Sequence, residues 1–65
     1  MRIRVNGRTL EVEAPTLERL IEELGFGEQT IATAVNQAFV RGKDRGETLL
    51  CEDDSVEIVT PRQGG

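Results

Sequence analysis

In the stretch Ile3-Arg4-Val5-Asn6-Gly7-Arg8-Thr9-Leu10-Glu11-Val12, the residues Ile3, Val5, Leu10 and Val12 are apolar at alternate positions on either side of Asn6-Gly7. Alternation places one set of side chains on one face of an extended chain. Asn-Gly is the strongest short hairpin signal, because both residues tolerate the positive φ that a two-residue turn demands. The chain therefore opens with a β-hairpin. Ala14-Pro15 breaks the alternation, and Thr16 follows as an N-cap whose hydroxyl can accept from an unpaired N–H, with Glu18 complementing the positive end of the helix dipole. Leu17, Leu20, Ile21 and Leu24 then recur at i, i+3, i+4 and i+7, which is one apolar helical stripe, and Gly25 can take the left-handed conformation that closes the last turn. The opposite helix face carries Glu18, Arg19, Glu22 and Glu23, with Arg19 and Glu23 spaced as a favourable pair and Glu18 and Glu22 as an unfavourable one. These read as solvated charges.

After a polar connection from Gly27 to Thr30, the segment Ile31 to Val35 is β-branched or small, and a turn at Asn36-Gln37 separates it from Phe39-Val40-Arg41. This predicts a second strand pair. Periodicity leaves open whether Ile31, Thr33 and Val35 or Ala32 and Ala34 face the core, and Ile31 and Val35 are the favoured pair. Gly42 to Glu47 reads as a charged, glycine-flanked loop, Thr48 to Leu50 as a short apolar return, and Glu52-Asp53-Asp54 as an acidic turn. Ser55 to Val59 is the last strand, with Val56 and Ile58 on one side and Glu57 and Val59 on the other. Pro61 ends its ladder because it has no N–H to donate.

The order is strand, strand, helix, strand, short strand, strand. So few residues cannot supply two helices or two sheets, and one helix must cover one face of a single mixed sheet. A right-handed crossover lets the last strand insert beside the first in parallel, an α+β arrangement called the β-grasp. The expected domain covers residues 1–60, followed by a flexible tail over residues 61–65. The second sheet face is left partly open. Val59 and Phe39 are candidate docking residues there, since an apolar patch on a charged protein marks an interaction site; the alternative is that Phe39 fills a gap in the core.

Composition sets the limits of function. The chain has 65 residues, eight basic against twelve acidic side chains for a net charge of −4, no His, Trp or Tyr, and one Cys. A domain of about this size buries only ~60% of its unfolded surface, which leaves no room for a deep substrate cavity. Without His, the usual general base and the commonest metal ligand are missing, so no catalytic residue and no metal or bound cofactor is expected. One Cys cannot make an intrachain disulfide, which fits a reducing cytoplasm. No apolar run approaches the ~20 residues of a membrane span, and an acidic chain with two aromatics offers nucleic acid neither a basic patch nor a stacking platform.

The end, Arg62-Gln63-Gly64-Gly65, carries the chemistry. Gly64-Gly65 adds nothing to a core, yet without Cβ atoms it can be drawn extended through a narrow channel to an α-phosphate buried in another protein. Adenylation of the Gly65 carboxylate would create a mixed anhydride that a sulfur nucleophile could convert to a thiocarboxylate. Arg62, three residues before that carboxylate, could pair with an acidic group at the channel mouth and fix the register of the tail, with Gln63 and Gly64 threaded behind it.

Here the chain resembles the ThiS family, the sulfur carriers of thiamine thiazole synthesis, which have a ubiquitin-like β-grasp. The resemblance rests on Arg4-Val5-Asn6-Gly7, Leu20-Ile21-Glu22-Glu23-Leu24, Ile31-Ala32-Thr33-Ala34-Val35-Asn36 and Val56 through Gly65, and spans nearly the whole chain. It implies that Gly65 is adenylated by an E1-like, ATP-using enzyme (ThiF-like) and becomes a thiocarboxylate. That group would deliver sulfur to a thiazole synthase (ThiG-like), the sulfur itself coming from a donor such as a cysteine desulfurase relay. ATP is then used by the partner, and the chain is a co-substrate. Two alternative readings of the chain share the activation chemistry: a sulfur carrier like the small subunit of molybdopterin synthase, and a ubiquitin-like modifier conjugated to lysine. Many relatives have Asn-Gly where this chain has Asn36-Gln37, and Asp-Gly-Asp where it has Asp53-Asp54-Ser55; Asn and Asp also tolerate the left-handed region. Cys51 matches no family role and reads as a small, buried structural residue rather than a persulfide relay, since a buried Cys is usually inert. The acidic cluster Glu52-Asp53-Asp54 either steers a basic partner or is a solvated turn.

Overall fold

The computed structural model describes residues 1–27 and 29–61. Asn6 and Gly7 both take positive φ, 52° and 84°, so the turn twists in the same sense as the strands it joins. It connects β1 (Arg2–Val5) to β2 (Arg8–Glu11) with Ile3 opposite Leu10 and Val5 opposite Arg8. Ile3, Val5 and Val12 are buried and Leu10 is half-buried, as the alternation requires.

Helix α1 (Leu17–Glu23) begins where Thr16 Oγ1 accepts from the Arg19 N–H at 3.3 Å. It ends in a Schellman motif: Gly25, at φ 88°, donates to the Glu22 carbonyl, and Phe26 reaches back to the Ile21 carbonyl. Leu17, Leu20 and Ile21 are buried and Leu24 is half-buried. Arg19 pairs with Glu22 at 3.2 Å, one residue nearer than the expected Glu23. The Glu23 carboxylate instead accepts from the backbone N–H of Glu13 at 3.4 Å, tying the helix to the segment that enters it.

The second hairpin joins β3 (Ala32–Val35) to β4 (Ala38–Val40) through Asn36 and Gln37, at φ 51° and 72°. Ile31 and Val35 turn toward the core as expected, but the most deeply buried residue on that side is Thr33. Its hydroxyl donates to the Val40 carbonyl at 2.8 Å and accepts from Arg45 Nε at 3.1 Å, while Arg45 Nη2 donates to the Ile31 carbonyl at 2.8 Å. A buried hydroxyl with both roles filled carries little desolvation penalty.

Arg45 lies in Gly42–Glu47, which forms a 3₁₀ helix rather than the expected open loop. Asp44 donates to the Arg41 carbonyl, and the Thr48 hydroxyl closes onto the Asp44 carbonyl at 2.8 Å, so short-range bonds suffice to wind a polar segment without an apolar stripe. The following return is zipped to the entry of α1 by Leu17 donating to Thr48 and Leu50 to Pro15. Leu50 is buried there and Leu49 is exposed.

Strand β5 (Ser55–Val59) runs parallel to β1 and antiparallel to β3, completing a five-stranded sheet in the order β2-β1-β5-β3-β4. Val56 and Ile58 pack with Ile3, Val5, Leu17 and Leu20 in the one core between sheet and helix. This is the β-grasp arrangement read from the order of elements.

Gln37 holds a left-handed conformation without being glycine, which costs roughly 1–2 kcal/mol, partly offset for glycine by its freer unfolded chain. Gln37→Gly is expected to stabilise the domain by about 0.5 kcal/mol, seen as a higher urea midpoint at unchanged m-value.

Candidate functional site

The face of the sheet opposite α1 is divided by composition. On the β1 side Arg2 and Arg4 are exposed, with Arg4 level with Ser55 of β5. On the other side, Ala34 stands between Phe39 of β4 and Glu57 of β5, and Ala32 lies opposite Val59. Phe39 is 69% exposed and Val59 59%, far from the core-filling alternative for Phe39. The small alanines leave a floor between the two large side chains, a shallow depression of about 170 Å³. Ala32 and Ala34, which periodicity alone leaves as a possible core-facing pair, instead floor this patch; two alanines at alternate positions of a strand whose other face meets the core are its signal in the sequence.

The root of the tail is held at β5. Asn6 Oδ1 accepts from the Ile58 N–H at 2.9 Å and Asn6 Nδ2 donates to the Ile58 carbonyl at 3.1 Å. Asn36 acts similarly at the other end of the strand: its Oδ1 accepts from the Ser55 N–H at 2.9 Å and its Nδ2 donates to Asp54 Oδ1 at 3.0 Å. Beyond Val59, Thr60 and Pro61 are exposed. Arg62, Gln63, Gly64 and Gly65, the expected threading and sulfur-carrying residues, lie outside the described residues.

Cys51 is exposed, which corrects its reading as a buried residue. It opens the turn into β5, where its N–H is taken by Asp54 Oδ2 at 2.8 Å and its carbonyl accepts from the Asp54 N–H. The turn uses the backbone of Cys51 and leaves the thiol outside. The acidic cluster is largely structural as well. Asp54 serves both Cys51 and Asn36, Glu52 Oε1 accepts from the Arg2 N–H at 3.2 Å, and Asp53 sits at φ 73°, the left-handed position of the turn. Among the described residues, no group of three or more His, Cys, Asp or Glu is placed to hold a metal ion, and no helix is long and apolar enough to cross a membrane.

Among the described residues, a mixed sheet with a parallel centre, a single α-helix on one face and an open apolar patch on the other define a ubiquitin-like β-grasp domain. The ThiS family model matches residues 3–65, and the chain belongs to the ThiS family. It is 31% identical over 61 residues to the sulfur carrier protein ThiS of Thermus thermophilus, covering 94% of this chain and 95% of that one. It is also 39% identical over 66 residues to a thiazole synthase of Magnetococcus marinus, where the match covers all of this chain and 20% of that protein's length. The crystal structure of a thiamine biosynthesis protein (ThiS) from Geobacter metallireducens superimposes with a TM-score of 0.81 at 23% identity over the whole of both chains. A solution structure of a thiamine biosynthesis protein from the same organism also gives 0.81, at 20% identity. These two likenesses show the shared fold.

Because the Cys51 side chain supports nothing, Cys51→Ser is expected to change stability by less than about 0.5 kcal/mol. In the unaltered native protein the thiol is expected to react completely with a thiol reagent before any denaturant is added. Protection until unfolding would contradict the exposed placement.

Proposed function

We propose that the chain is a sulfur carrier of thiamine biosynthesis that bears sulfur on the Gly65 carboxylate and performs no catalysis itself. The observation that carries this reading is the family match, which runs through Gly64-Gly65 on a domain whose last strand leads into that pair. In the first step a carboxylate oxygen of Gly65 attacks the α-phosphorus of ATP in a ThiF-like adenylating enzyme. Pyrophosphate leaves, and an acyl adenylate remains. The outer sulfur of a persulfide then attacks the acyl carbon and AMP leaves with the C–O bonding pair; a thiol next cleaves the S–S bond of the acyl disulfide, releasing the thiocarboxylate and leaving the disulfide on the donor side. A desulfurase relay is the proposed source of the sulfur.

The acceptor is a ThiG-like thiazole synthase. The likeness to a segment of a thiazole synthase supports that choice, since it relates this sequence to the enzyme that would use the sulfur. The Phe39 and Val59 patch supplies docking area without a deep pocket, suited to a carrier that must leave each partner in turn. Arg62 would pair with an acidic group at the mouth of the activating enzyme.

The direct test is the intact mass of the chain after incubation with a ThiF-like enzyme, ATP and a sulfur source, beside a Gly65-deleted control. A gain equal to replacing one oxygen by sulfur, placed on Gly65 and absent from the control, is expected. An unmodified mass with an enzyme that loads another carrier would refute the reading, and a lysine-linked adduct would point to a modifier. For the docking patch, Phe39→Asp is expected to raise KM for the carrier in adenylation about tenfold, as loss of an aromatic anchor does. Its circular dichroism and melting should stay as in the parent chain, because Phe39 is outside the core.

A further inference from the structure

Strand β1 ends at Val5 because the chain reverses at Asn6-Gly7, so beyond that point its backbone has nothing to offer β5. The last bond from this backbone is the Asn6 N–H to the Val56 carbonyl at 2.9 Å. Ile58, two residues on, faces the same side with both its N–H and its carbonyl. The Asn6 carboxamide meets both, at 2.9 and 3.1 Å, and so continues β1 by one residue in side-chain form. The turn itself does not demand this, since Gly or Asp serves at that position of such a hairpin. Of Asn, Asp and Gly, the residues that suit this turn, only Asn at neutral pH carries a side chain that both accepts and donates.

We propose that Asn6 is a positioning residue for the C-terminal tail, clamping Ile58 so that the sheet stays closed up to Val59 and the chain leaves it at a set point. Its functional consequence rests on the sulfur-carrier reading; the clamp itself does not. Val59 belongs to the docking patch and is the residue after Ile58, so one clamp holds both the patch and the root of the tail. Gly65 stands six residues beyond Val59, a separation of at most about 22 Å along an extended chain. The distance from a docked patch to a partner's reactive centre is thereby bounded. With Ile58 released on the β1 side, the end of β5 is held by β3 alone, through Ala32 and Val59. A carrier in that state must close again as it docks, which weakens binding and leaves the bound geometry unchanged. The loss should fall on KM and spare kcat.

Asn6→Gly tests this, because glycine keeps the positive φ of the turn and removes both bonds to Ile58. Asn6→Asp keeps the acceptor and the turn and removes the donor. In Asn6→Gly, amide exchange at Ile58, measured by NMR relative to Val56 in the middle of β5, is expected to quicken about tenfold, the effect of losing ordinary hydrogen bonds. KM for the carrier in adenylation should rise roughly three- to tenfold with kcat within about twofold of the parent, and Asn6→Asp should fall between. Unchanged exchange at Ile58 would overturn the clamp, and faster exchange with unchanged KM would overturn the positioning role. If the unaltered chain is never adenylated, the carrier reading fails and the positioning role with it, while the exchange data still judge the clamp.

Discussion

Everything in this domain depends on the pairing of β5 with two strands at once. Its residues are distant in sequence from β1 and separated from β3 by β4, a 3₁₀ helix and a return, yet β5 lies between β1 and β3, parallel to one and antiparallel to the other. Val56 and Ile58 then complete the apolar floor on which Leu17, Leu20 and Ile21 rest. The parallel contact is short, and the two hairpin-turn asparagines lengthen the hold on the strand with side-chain bonds at either end. A small domain buries little surface, so such bonds matter to whether the strand stays in place.

The same pairing creates the functional surface. Strand residues alternate between faces, so placing Val56 and Ile58 on the helix requires Glu57 and Val59 to face away from it. The register with β3 brings Ala32 and Ala34 beside them, and Phe39 follows from the second hairpin. With one α-helix among the described residues, nothing in the described chain covers that face. The exposed patch is thus a consequence of covering one sheet with one helix, and its apolar character is supplied by Phe39 and Val59.

The turns show how local preference yields to tertiary demand. Gln37 and Asp53 hold left-handed conformations that glycine adopts more readily, yet the turn containing each is braced from outside. Asn36 bonds Ser55 and Asp54, and Asp54 in turn bonds Cys51 across the turn that contains Asp53. Within the acidic cluster, for which steering and a solvated turn were the two readings, Asp54 thereby joins two turns.

Several features were legible in the sequence because they depend on neighbours along the chain. The Asn6-Gly7 hairpin, the Thr16 cap, the i, i+3, i+4, i+7 stripe and the Gly25 terminus are local, and backbone sterics and helical periodicity suffice to specify them. The inside and outside of β5 followed from its alternation. Other features needed the folded chain. The burial of Thr33 depends on Arg45 folding back from a 3₁₀ helix, and the exposure of Cys51 on its place at the start of a turn. The choice of Glu22 over Glu23 by Arg19 depends on Glu23 finding the Glu13 N–H. The second role of Asn6 lies 52 residues away at Ile58. Apart from Cys51, whose turn is local, the deciding partner lies ten or more residues away, and such a hydrogen bond is decided by which groups the fold brings within reach.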